Sequence, residues 1–224
     1  MSRDASFFRW LRRKTSPRWA KVFAHPFLAE LAEGSLARDR FRFFLRQDYC
    51  FLVEYARTLA LGAAKARSLD HMTRMAELAH GALTFEMTGL LDFCQRQGLS
   101  RAELLGTEPS PTMRAYVDNL VRAGYQEQLP GVCAALLPCQ YSYWEIGKKL
   151  ERSPVTQDER HPYAEWIALY ASKEYEGLAI GMRDLLDELA RDCSEAEQAH
   201  LAELYRVGVD YELAFWNMAY RMGG

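Results

Sequence analysis

Apolar residues recur at helical spacing along nearly the whole chain, and alternating apolar–polar runs of the strand type are absent. The segment from Asp39 to Arg67 carries Phe41, Phe44, Leu45, Leu52, Tyr55, Ala56 and Leu59 on one face, which predicts a long amphipathic helix. A second runs from Asp70 to about Gln97 and stops at Gly98, a C-terminal capping glycine. Ser100 with Glu103 reads as a capping box opening a short helix. Pro109–Ser110–Pro111 reads as a turn, followed by a helix from Thr112 to Arg122 ending near Gly124. Further helices are expected at about 128–150, 161–171 and 173–191. A last one at about 195–221 opens on the capping box of Ser194 and Glu197. With residues 1–20 read as a basic N-terminal helix, the pattern predicts an all-α bundle of seven to nine helices. No linker or internal repeat divides the 224 residues, so 1–224 reads as one domain.

Composition narrows the class. An apolar share of 49% excludes a disordered chain, and a net charge of −2 gives no global reason to expect nucleic acid or an anionic membrane as partner. No apolar run reaches the ~18 residues of a membrane helix. The acid-poor stretch Ser2–Lys14 shares its bias with organelle transit peptides, but it has neither an apolar block nor a small-residue cleavage site. Five cysteines without CxxC or zinc-type spacing are expected to be reduced thiols in a cytoplasmic protein.

In a bundle the informative residues are polar ones on apolar stripes. Asp48 falls on the face of Phe44, Leu52 and Tyr55. Glu212 falls on the face of Leu201, Tyr205, Phe215 and Ala219, and Cys139 lies with Val132, Ala135, Leu136, Tyr143 and Ile146. A buried carboxylate is costly unless paired or hydrogen-bonded, so each is either a structural pair with an arginine or part of a pocket. Cys139 alone reads as a small core residue. Pro138 before it removes the backbone bond to residue 134 and opens room beside the thiol. Tyr116, Tyr143 and Tyr170 occupy adjoining stripes and would, with the carboxylates and thiol, suit a flat nitrogen-bearing ring. Two ExxH units, Glu77–His80 and Glu197–His200, keep open a metal-dependent oxidase of the di-iron type. His25, His71 and His161 lie beside prolines or helix starts and read as surface or capping residues.

At these residues the sequence resembles the thiaminase II (TenA) family. The likeness runs from about His25 to Arg221, through HisProPhe at 25–27, PheLeuArgGlnAspTyr at 44–49, LeuGlyAlaAlaLysAla at 61–66 and ProSerProThr at 109–112. It continues through AlaLeuLeuProCys at 135–139, TyrTrpGluIleGly at 143–147, TrpIleAlaLeuTyr at 166–170, TyrGlu at 211–212 and PheTrpAsnMetAlaTyrArg at 215–221. The resemblance implies a heme-oxygenase-like bundle and, through ProCys, the branch with a cysteine nucleophile. It implies Cys139 as nucleophile, Glu212 as the acid that protonates a pyrimidine ring, and Asp48 as partner of the ring's amino group. Tyr116, Tyr143 and Tyr170 would stack on or hydrogen-bond the substrate, with Phe215 as an apolar wall. The implied reaction hydrolyses aminomethyl-pyrimidine or thiamin to hydroxymethyl-pyrimidine for vitamin salvage, in a homotetramer needing neither metal nor cofactor. A ligand-binding or regulatory member of the same fold is the alternative. Two departures stand out. Phe51 replaces a tyrosine whose hydroxyl would reach the cysteine, and Thr88 and Asp92 replace a Glu and a His in the third long helix.

Overall fold

The structure, a computed structural model, describes residues 6–158 and 160–223. Eleven α-helices are found among them: α1 (Phe7–Phe23), α2 (Pro26–Glu33), α3 (Arg38–Lys65), α4 (Leu69–Gly81), α5 (Met87–Arg96), α6 (Arg101–Leu105), α7 (Pro111–Gln126), α8 (Leu129–Leu150), α9 (Ala164–Ala171), α10 (Lys173–Leu189) and α11 (Glu195–Arg221). A π-helical turn, Ala82–Glu86, joins α4 to α5, and the described residues hold no strand. None of these helices is long and apolar enough to cross a membrane. The all-helical bundle is the expected one, with more helices than the seven to nine predicted.

The boundaries follow local chemistry. The Ser100–Glu103 and Ser194–Glu197 capping boxes both form, and Gly98 takes the left-handed conformation (φ 75°) that ends α5. Helix α2 was not predicted, although its signals are present. His25 caps its N-terminus by accepting from the Phe27 amide at 3.1 Å, Pro26 starts it, and Gly34 at φ 74° closes it. His25 and His161 are therefore buried structural residues rather than surface ones, while half-buried His71 pairs with Glu188 at 3.0 Å. Gly124 does not end α7. A Cβ there would sit 2.8 Å from Leu61 Cδ1, so the glycine lets α7 lie close on α3. The helix expected at 161–171 begins at Ala164.

Helix α8 is the axis of the bundle. Leu129 and every residue from Gly131 to Tyr143 are buried, so Cys139 lies on no single stripe; α8 is enclosed on all sides, chiefly by α11, α10, α9 and α3. Helix α1 packs on α11 and α10 through Phe7, Phe8, Leu11, Trp19 and Val22. Its expected basic solvent face holds in part, since Arg12 turns inward over the Trp19 ring (4.6 Å) and pairs with Glu145 at 2.7 Å.

Candidate active site

Pro138 and Cys139 sit mid-way along α8. Gly208 of α11 faces them; a Cβ on it would lie 2.7 Å from Pro138 Cγ and 3.2 Å from the Ala135 carbonyl. The bare glycine brings the two helices together, and Glu212, one turn further along α11, reaches the interior beside Ser142. The Tyr116 hydroxyl donates to Glu212 Oε1 at 2.6 Å. The Ser142 hydroxyl lies 3.3 Å from Glu212 Oε2 and 3.2 Å from the Cys139 carbonyl. Desolvation raises Glu212 to about 7, opposed by those two hydrogen bonds.

From α3 comes Asp48, 3% exposed, whose Oδ2 has no hydrogen-bond partner. Burial, then the charges of Glu86 and Glu212, hold its carboxyl well above the usual range. Glu86, at the end of the π turn, is a third buried carboxyl and was not predicted. It accepts from the Tyr175 hydroxyl at 3.4 Å and is raised by burial to about 7, against the hydrogen bonds of Tyr170 and Tyr175. Its signal was legible: Leu78, Ala82, Glu86 and Leu90 recur every four residues, which puts a carboxylate on an apolar stripe. Gln140 was also missed. Tyr55 donates to its Oε1 at 2.7 Å, and its Nε2 is buried without a partner.

The aromatic residues form one connected set around these groups. Tyr116 stacks on Tyr211 (5.0 Å, 6°) and tilts against Phe51 (4.9 Å), which in turn lies 5.5 Å from Tyr55 and 6.5 Å from Phe215. Trp216, 5.5 Å from both Phe215 and Tyr143, bridges to the second group, where Tyr143 meets Tyr170 edge-on at 4.8 Å. All eight sequence-predicted site residues thus fall in one interior cluster. Thr88 and Asp92 do not join it; both are exposed on α5.

Cys139 is 5% exposed, and all five cysteines are free thiols. Burial and the charges of Glu212, Glu86 and Asp48 push its thiol well above the ordinary value. No lysine or arginine is buried among the described residues, so no resident cation offsets those acids.

Residues 12–222 match the TENA/THI-4/PQQC family. The chain belongs to it. This family member is 39% identical over 216 residues to the aminopyrimidine aminohydrolase of Halalkalibacterium halodurans, with 96% of each chain covered. Its structure superposes on the TenA homologue of P. horikoshii with a TM-score of 0.89 at 31% identity, covering 98% of this chain and 100% of that one. Heme oxygenase-1 of the cyanobacterium Synechocystis superposes with a TM-score of 0.67 at 11% identity, over 95% of this chain and 91% of that one, so the TenA-family bundle has the heme-oxygenase-like fold.

The di-iron reading does not survive the geometry. Glu77, His80, Glu197 and His200 are all exposed. Glu197 is consumed by the Ser194 cap, and His200 bonds Glu127 at 2.8 Å. Among the described residues the one group of three potential ligands whose atoms all lie within 4.8 Å of one another is Asp70, His71 and Glu188, none of the four, and Arg74 already pairs with Glu188 at 2.6 Å.

Proposed function

We propose that the protein hydrolyses aminomethyl-pyrimidine, and thiamin as a further substrate, to hydroxymethyl-pyrimidine, with Cys139 as nucleophile and Glu212 as general acid. The observation that carries this reading is the enclosure of one thiol, three carboxyl groups and an aromatic wall in a water-poor interior without a resident cation. Such an arrangement favours a small basic ring over an anion. The Asp48 Oδ2, buried without a partner, can accept from the ring's amino group. Glu212, poised near 7, can protonate the other ring nitrogen.

The raised thiol is the feature this chemistry must overcome. A ring made cationic by Glu212 supplies the positive charge the site lacks and lowers the thiol toward ionisation, so the substrate completes the activation of its own nucleophile. Sulfur then adds to a ring carbon as the thiol proton passes to the Glu212 carboxylate, replacing the one Glu212 delivered to the ring nitrogen. The electron-rich adduct expels the group on the exocyclic methylene, the C–N bond giving its electron pair to nitrogen. Water adds to the methylene and the thiolate leaves, restoring Cys139 and splitting one hard cleavage into easier steps. Tyr143, Tyr170 and Phe215 line the ring in this scheme, and Tyr116 acts on it through Glu212. The relatives' assembly supports no step here; the homotetramer remains part of the proposal through family resemblance alone.

Incubation of the purified protein with aminomethyl-pyrimidine and with thiamin, read by chromatography of hydroxymethyl-pyrimidine, tests the reading; release of product from neither sinks it. Phe51, which offers the thiol no hydroxyl, favours a second reading as a ligand-binding member, for which both pyrimidines bind without turnover.

A further inference from the structure

Glu86 is the buried acid that the proposed chemistry leaves unused. It is 3% exposed, it comes from the π turn rather than from α3, α8 or α11, and no buried lysine or arginine pairs with it among the described residues. A π turn carries one extra residue and frequently marks a functional site. Here it closes against α3, α4 and α5, with Glu86 meeting Tyr175 of α10. Tyr175 stands edge-on to Tyr170 at 4.8 Å, and Tyr170 stands the same way to Tyr143, so Glu86 lies behind the aromatic wall assigned to the ring. Asp48 and the Cys139 thiol lie within reach of its charge. Leaving a buried carboxylate with only hydroxyl partners is costly, and the core has done so twice, at Glu212 and at Glu86.

The substrate class supplies a matching pair. An aminomethyl-pyrimidine has an amino–nitrogen edge for Asp48, a second ring nitrogen for Glu212, and an exocyclic amine that is an ammonium at neutral pH. We infer that Glu86 is the counter-ion of that exocyclic ammonium, so that this site selects the cationic aminomethyl substrate over the neutral hydroxymethyl product. The inference rests on the aminopyrimidine reading above and adds a specificity-determining residue to it. When the C–N bond breaks, its electron pair goes to nitrogen and the ammonium departs as neutral ammonia, so Glu86 gives up and takes up no proton. The product then meets an unpaired carboxylate, which weakens its hold and aids release. The groups facing Glu86 are Tyr175 and Tyr170, with Asp48, Cys139 and Tyr55 in electrostatic reach; none is a cation that would mask its charge.

The test is calorimetric binding of aminomethyl-pyrimidine and of hydroxymethyl-pyrimidine to Cys139→Ala protein, in which the proposed chemistry is blocked, with and without Glu86→Gln. Loss of a charge-assisted contact is expected to weaken the amine about tenfold or more and the alcohol less than about threefold. With Glu212→Gln also present, which removes the other acid titrating near 7, affinity for the amine should rise as pH increases through about 7, where the Glu86 carboxyl ionises, and Glu86→Gln should abolish that slope while Glu86→Asp keeps it. Equal weakening of both pyrimidines, or a slope that persists in Glu86→Gln, overturns the assignment and leaves the aminopyrimidine reading standing. Failure of both pyrimidines to bind when Glu86 is present overturns that reading, and this one with it.

Discussion

At the residue scale the site is a set of acids held in the wrong place for stability. Glu212 has a 2.6 Å bond from Tyr116 and a weaker one from Ser142, yet burial still lifts it to about 7. That value makes it a usable acid at neutral pH, and Glu212→Gln, which keeps the shape and the acceptor for Tyr116, is expected to lower kcat by about 10²–10⁴-fold with little change in KM. Wild-type kcat should fall as pH rises above about 7, since the acid form is then lost; steady-state rates from pH 5.5 to 9 check both. Asp48 and Glu212 were legible in the sequence because each interrupts an otherwise apolar stripe, and Cys139 because Pro138 precedes it inside a helix. Glu86 obeys the same rule on the stripe of Leu78, Ala82 and Leu90. Gln140 could not have been found that way. It lies on a helix buried on every side, where no face is polar enough to make one amide stand out.

At the element scale, close approach of helices does the positioning. Gly147 of α8 lies against the backbone of α9, where a Cβ would be 2.5 Å from the Tyr170 carbonyl carbon and 2.6 Å from the Ala171 nitrogen. Backbone cannot swing aside as a side chain can, so Gly147→Ala is expected to lower stability by about 3 kcal/mol and to displace Tyr170, raising KM as it does so. Thermal unfolding with substrate kinetics measures both. A flexible neighbour makes the contrasting case: at Gly124 the nearest atom is the Leu61 side-chain tip, and Gly124→Ala should cost far less. Long helices, caps and the Gly98 stop were readable because each rests on local chemistry. The short α2 and the π turn were not, because eight residues hold too little periodicity to stand out and the π turn adds a residue without breaking the helix.

At the scale of the whole molecule, the buried acids set a pH dependence opposite to that of surface pairs. Glu86 and Glu212 bind a proton more tightly folded than unfolded, so the stability they contribute is fully present below about 4.5 and is lost as pH rises through about 7. Half-buried Glu188, held low by His71 and Arg74, works the other way and loses its contribution as pH falls toward and below the ordinary carboxylate range. The melting temperature is therefore expected to decline between pH 5 and 8. Glu212→Gln should flatten that decline and gain about 2–3 kcal/mol at pH 8, a stability the native site gives up for its chemistry. A Glu212→Gln melting curve that tracks wild type across this range would contradict the assignment of a desolvated, titrating acid. The family fold, shared with heme oxygenase at 11% identity, supplies the bundle, and inside it this chain buries three acids and the Cys139 thiol.

The central claim is that Cys139 attacks the ring. Its most direct measurement is the rate of hydroxymethyl-pyrimidine formation from aminomethyl-pyrimidine by Cys139→Ala beside wild type, both verified as folded by their melting curves. Loss of at least about 10³-fold in kcat with substrate binding retained is the predicted result. Turnover undiminished in Cys139→Ala would contradict covalent catalysis by this thiol.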